Sequence, residues 1–192
     1  MEIHLPNESF EFPVVIVGGI HGDEPAGNIA AKEFAGKKGV VVVSDVNPTG
    51  KRRFHGIDLN RHFGLKDSLP IEDTLLTKIT ELKPRTVIAL HEDDTSDAVY
   101  AYCSLGLVNM VKVALKSLHA PLAKTAIGDR TDEGVITHGR LPCRGTLEHE
   151  LRHRHIENCT IETPAKKHPV HERVELHKHM VSALLKHIYP FS

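Results

Sequence analysis

Apolar runs in this chain repeatedly end on a residue able to ligate a metal or move a proton. Val14-Val15-Ile16-Val17 stops at Gly18-Gly19 and delivers His21 and Glu24, while Thr86-Val87-Ile88-Ala89-Leu90 runs straight into His91. Cys159-Thr160-Ile161 ends in the same way at Glu162. Imidazole nitrogen and carboxylate oxygen are both good zinc ligands, and a catalytic zinc takes three protein ligands and keeps one position open. His21, Glu24 and His91 make such a set, with Glu162 left over as a further ligand or a base.

The elements that must position these residues are legible from periodicity. The β-favouring runs read as buried strands, and Gly18-Gly19 free the backbone to turn at the end of the first. Pro25 suits the first turn of a helix, and Ala26 to Ala35 supplies helix formers up to Gly36. Val40 to Val43 predicts a second strand, followed by turn residues from Asp45 to Gly50 and a polar stretch from Lys51 to Phe63. Helical spacing recurs in Ile71 to Leu82, Leu107 to Leu118, Leu147 to Ile156 and Val170 to Ile188, and Ala98 to Cys103 predicts another strand. Gly128 to Gly145, rich in glycine and charge, reads as a long mobile loop.

Alternating strands and helices predict an α/β fold in one domain spanning residues 1–192: three layers, with a mixed, mostly parallel sheet flanked by helices. Ligands of such sheets bind in the crevice outside the carboxyl ends of the strands. His21, Glu24, His91 and Glu162 all fall there. A lone His-x-x-Glu is commonly a surface coincidence, but four such residues at strand mouths are hard to obtain from packing needs alone.

Composition narrows the function. Hydrophobic residues at 40%, charged residues at 26% and a net charge of −1 describe an ordinary soluble globule without the basic excess of a nucleic-acid binder. The N-terminus lacks a basic and an apolar leader region, and no apolar run suits a membrane span, so the expected location is the cytoplasm. Cys103, Cys143 and Cys159, without a CxxC spacing, read as buried free thiols. The 15 histidines are the unusual entry, and those in charged helical stretches (His149, His153, His155; His177, His179, His187) read as solvated faces.

His21-Gly22-Asp23-Glu24, Asn47-Pro48, Arg53, Asp58-Leu59-Asn60-Arg61, His91 and Ile161-Glu162-Thr163-Pro164 together resemble the zinc-carboxypeptidase superfamily, in its aspartoacylase and succinylglutamate desuccinylase branch. The resemblance covers about residues 14–165. It implies one Zn2+ per chain held by His21, Glu24 and His91, with Glu162 as the base that activates water. It also implies Arg53 at the scissile carbonyl and its oxyanion, and Asn60 with Arg61 at a substrate carboxylate. Arg52 competes with Arg53 for its role, and Arg152, ten residues before Glu162, resembles a further substrate-binding arginine.

Chemistry agrees with the assignment. An amide needs a stronger nucleophile than water near neutral pH, which zinc provides. A carboxylate can carry the proton to the leaving amine, and a guanidinium can meet the oxyanion. The expected reaction is hydrolysis of a C–N amide bond beside a carboxylate, on a small acidic substrate such as an acylamino acid or short peptide. Aspartoacylases continue into a β-rich C-terminal domain, whereas one helix follows Glu162 here, and residues 128–145 hold no tyrosine. That departure favours the alternative of a metallocarboxypeptidase or murein-peptide amidase with the same zinc site. A non-catalytic, histidine-rich metal binder is the rival from another class, and an oligomer is compatible with any of these.

Overall fold

The computed structural model describes residues 1–8, 10–126, 129–137 and 143–190. Its strands are β1 (Glu2–His4), β2 (Val14–Gly18), β3 (Val40–Ser44), β4 (Thr86–Asp93) and β5 (Tyr100–Cys103), then β6 (Thr125–Ala126), β7 (Asp129–Arg130), β8 (Val135–Thr137) and β9 (Asn158–Pro164). The helices are α1 (Pro25–Lys32), α2 (Pro70–Glu81), α3 (Val108–Lys116), α4 (Leu147–His153) and α5 (Val170–Ile188). Seven strands form one sheet in the order β1-β3-β2-β4-β9-β5-β8, and β6 pairs with β7 apart from it. The centre of the sheet is parallel; β1 and β5 run antiparallel to their inner neighbours β3 and β9.

Every residue of β2 and β3 is buried, the signature of strands covered on both faces. Alternate side chains divide between two cores. Val14, Ile16, Val40, Val42, Ile88 and Leu90 pack with α1, α3 and α5 on one side. Val15, Val17, Val41, Val43 and Val87 pack with α2 and α4 on the other. The result is the three-layer, mostly parallel α/β arrangement expected. No helix among the described residues is long and apolar enough to cross a membrane.

Topology fixes where the site lies. From β2 the chain moves outward to β3, then returns across β2 to place β4 on its other flank. The ends of β2 and β4 therefore flank a switch point, where an open α/β sheet leaves a crevice. Two glycines bring α1 down onto these strands: a Cβ at Gly18 would lie 2.8 Å from Gly27 O, and one at Gly27 only 2.6 Å from Leu90 O. Because Glu24 is the N-cap residue of α1, that approach sets Glu24 beside the end of β4.

Some expectations change. The stretch read as a loop from Gly128 to Gly145 contains β7 and β8, the latter extending the main sheet by pairing with β5; residues 128 and 138–142 lie outside the described residues. His177 is wholly buried rather than solvated, and Cys143 is exposed while Cys103 and Cys159 are buried. His91 and Glu162 belong to their strands, which run on to Asp93 and Pro164.

Candidate metal centre

The turn after β2 is held by its neighbours. Gly19 has φ +76° and accepts a 2.7 Å hydrogen bond from the Asn47 backbone N–H, while Gly22 N–H donates to Lys51 O at 3.1 Å. A Cβ on Gly22 would lie 2.8 Å from both Asn47 O and Lys51 O, so a side chain there would push the two segments apart. The Asn47 amide donates in turn to Lys51 O at 2.9 Å and Arg52 O at 3.3 Å. This packing lays residues 47–52 over His21 and Glu24.

Glu24 makes no side-chain cap to α1 and turns to the imidazoles instead. His21 Nδ1 lies 2.7 Å from Glu24 Oε1, and His91 Nδ1 lies 2.9 Å from Glu24 Oε2. The Glu92 backbone N–H donates to the same Oε2 at 3.1 Å, and Arg52 Nη1 donates to Oε1 at 3.1 Å. His21, Glu24 and His91 are all buried, and each offers a ligand atom within 4.8 Å of the others.

Electrostatics follow from this crowding. Burial opposes charge on His21, but hydrogen bonds to Asp58 and Glu24 outweigh it and hold the imidazole up to about 9. Burial likewise opposes ionisation of Glu24, and the two imidazoles overcome it, bringing the carboxyl down to about 2. His21 Nε2 lies 2.9 Å from Asp58 Oδ1, which also caps the following turn by accepting Asn60 N–H at 3.0 Å. A carboxylate on the far nitrogen of a ligating imidazole fixes its tautomer and raises its basicity.

The residues fit a metal ion. In both rings Nδ1 faces Glu24, so two imidazole nitrogens converge on one carboxylate. Two imidazoles and one carboxylate are a donor set that catalytic zinc uses. His91 Nε2 is buried and lacks a hydrogen-bond partner among the described residues, so the ring is held by its Nδ1 contact and by its edge-to-face packing on His21.

Glu162 lies directly beside His91 across the β4–β9 ladder and beside Tyr100 across the β5–β9 ladder. Its carboxyl makes no hydrogen bond or ion pair among the described residues. Burial raises its pKa to about 8; His91 pulls against this, while Glu24, Asp93 and Glu148 add to it. In the metal-free protein this carboxyl is therefore held toward its protonated form.

The other candidates are placed variously. Arg52 reaches Glu24, whereas Arg53 is exposed with no side-chain partner among the described residues. Asn60 is buried with its amide engaged: Oδ1 accepts Leu147 N–H at 2.8 Å and Nδ2 donates to Glu148 Oε2 at 3.5 Å. Arg61 is exposed and donates to Asn60 O at 2.6 Å. Arg152 is exposed on α4.

Behind the centre lies a polar layer of which the sequence reading missed Arg173 and His177. Glu92 Oε1 accepts Ala26 N–H at 2.6 Å at the start of α1, and Oε2 pairs with the guanidinium of Arg173 on α5. His177 Nε2 lies 3.1 Å from Thr163 Oγ1, and burial, reinforced by the charge of His91, drives its pKa down to about 3. A signal for His177 existed: it fills the gap in the apolar stripe between Val174 and Val181.

No family model matches the sequence, and no curated protein matches it. Solved structures do match its fold. A candidate metallopeptidase from Shewanella denitrificans superposes with a TM-score of 0.77 at 22% identity, covering 96% of this chain and 78% of its own. One from Shewanella amazonensis gives 0.77 at 20% identity, covering 95% and 79%. The fold is shared with metallopeptidase structures. The mDAP-bound form of Helicobacter pylori Csd4, a D,L-carboxypeptidase, gives 0.70 at 19% identity over 97% of this chain, which spans 54% of that one.

Proposed function

We propose that this chain is a zinc-dependent hydrolase of a C–N amide bond adjacent to a carboxylate. The observation that carries the reading is the convergence of His21 Nδ1 and His91 Nδ1 on the two oxygens of Glu24, with the unpartnered carboxyl of Glu162 in register beside His91. His21, Glu24 and His91 would hold the ion. Zinc supplies Lewis acidity there, polarising a carbonyl and acidifying water. Glu162 takes the proton from the attacking water and returns it to the leaving amine. Arg53 meets the oxyanion, and Arg61 and Arg152 are the cations offered to the substrate carboxylate. Asn60, with its amide committed to α4, shapes that side of the site by holding Leu147 and Glu148.

Within this reaction class the substrate is either an N-acylamino acid or the C-terminal residue of a short peptide. The peptide reading is favoured by the fold shared with Csd4, which has been solved with a tripeptide bound. The test is amine release by tag-free protein from a panel of N-acylamino acids and short peptides, alongside elemental analysis. The expected outcome is one zinc per chain and turnover on one of the two classes. A zinc-loaded protein inactive on both would sink the hydrolase reading, and a protein that takes up no zinc would sink the metal centre as well.

A further inference from the structure

Helix α4 carries a second constellation of metal-ligating side chains that shares no residue with the centre at Glu24. His149-Glu150-Leu151-Arg152-His153 places two imidazoles at i and i+4, on one face of the helix. Their Nε2 atoms lie 3.2 Å apart, with the rings edge to face at a centroid separation of 4.4 Å. Two nitrogens each about 2.0–2.1 Å from one ion, and so separated, subtend roughly 100–106° at it, close to the tetrahedral angle. The two rings already stand at the bite of a chelate.

A further feature orients the pair. Glu150 Oε1 lies 3.2 Å from His149 Nδ1; with the ring proton there, His149 Nε2 accepts from His153 Nε2–H, and an ion held between the two nitrogens displaces that proton. The carboxylate is itself fixed. Glu150 Oε2 accepts from Arg154, and a Cβ at Gly64, where φ is +66°, would fall 2.4 Å from the carboxyl carbon. Only glycine leaves it that room. The helix beneath is anchored by buried Leu147 and Leu151, and capped by Thr146, whose Oγ1 accepts His149 N–H at 3.3 Å. The chelate is thus built on a fixed element rather than on a loop.

We propose that His149 and His153 form a second binding site for a divalent late first-row transition ion, with Nε2 of each as ligands and Glu150 orienting His149. Imidazole pairs suit Cu2+, Ni2+ and Zn2+, and the Irving–Williams order makes Cu2+ the tightest. Water or a donor from another molecule completes the coordination sphere. The same spacing in helical zinc peptidases makes the intervening glutamate a general base. Here that carboxylate is turned onto Arg154 and His149 Nδ1, so this is a site for binding and not a second catalytic centre.

The test uses the full chain without a tag and Ni2+ as the probe, counting bound ions by equilibrium dialysis. Because the readout is the difference between wild type and variant, it does not depend on the centre at Glu24 taking up metal. His149→Ala/His153→Ala is expected to bind one ion fewer, and His153→Ala alone to hold that ion about a hundredfold more weakly, as a chelate becomes monodentate. Glu150→Gln, which leaves both ligands in place, should weaken it about 10–100-fold. At two equivalents of Cu2+, enough to fill the centre at Glu24 as well, the wild-type minus double-variant difference in the electron paramagnetic resonance spectrum should carry two-nitrogen coupling. Replacing the exposed His187 and His155 should change neither count nor spectrum. Unchanged stoichiometry and an unchanged copper spectrum in the folded double variant would overturn the proposal.

Discussion

His91 and Glu162 stand directly opposite one another on the parallel strands β4 and β9, so a residue that reaches Glu24 and a carboxyl with no partner are fixed by the same backbone ladder. A slip of one residue between these strands would send one of the two side chains to the other face. The proposed division of labour assigns binding to His91 and proton transfer to Glu162. Glu162→Gln is therefore expected to retain the metal while turnover falls about 10²–10⁴-fold, the usual worth of a general base. Elemental analysis and initial rates on the same preparation check it; undiminished turnover would remove Glu162 from the chemistry.

Asp58 holds His21 from behind, with Oδ1 at 2.9 Å from Nε2. Asp58→Asn replaces an ionised acceptor by a neutral amide that need not present its oxygen. Loss of such an orienting partner typically weakens metal affinity 10–100-fold. Competition with a chromogenic chelator measures it, and wild-type affinity in the variant would show that Glu24 alone orients the ring.

Much of this arrangement was legible in the sequence because strand-end residues are marked twice, once by the apolar run and once by the polar residue that stops it. His21, His91 and Glu162 were found in that way. What the sequence could not settle depends on contacts remote along the chain. Arg52 and Arg53 are adjacent in an aperiodic segment, and which one reaches Glu24 is decided by Asn47 gripping the carbonyls of Lys51 and Arg52. Asn60 offered no hint of its bond to Leu147, 87 residues away. Arg173 sits among charged residues and carries no mark of its own in the sequence, yet it is buried against Glu92 in the space behind α1.

The Arg173–Glu92 pair gives a stability prediction. Both residues are buried, so removing one partner strands a charge, at a cost of about 3–5 kcal/mol. Arg173→Met should accordingly lower the melting temperature by roughly 6–20 °C for a chain of this size. Adding Glu92→Gln in the same chain removes the stranded charge and should recover part of the loss. If the double variant melts no higher than Arg173→Met, the guanidinium acts through packing and not through charge.

His177 predicts how the metal-free protein responds to acid. Its folded pKa of about 3 lies below the ordinary 6.5, because burial and the neighbouring His91 disfavour the imidazolium. As pH falls below 6.5 the unfolded chain binds a proton that the folded chain refuses, so the unfolded state is favoured. The stability lost to this group accumulates from about pH 6.5 down to about pH 3, at up to about 1.4 kcal/mol per pH unit. His177→Gln can still bond to Thr163 but cannot titrate. Denaturant unfolding of the chelator-treated wild type and variant across that range should give a wild-type slope steeper by close to one proton, since the remaining acid-sensitive groups are common to both. Parallel slopes would mean that His177 is protonated in the folded protein, and that the space between α5 and the sheet admits a charge.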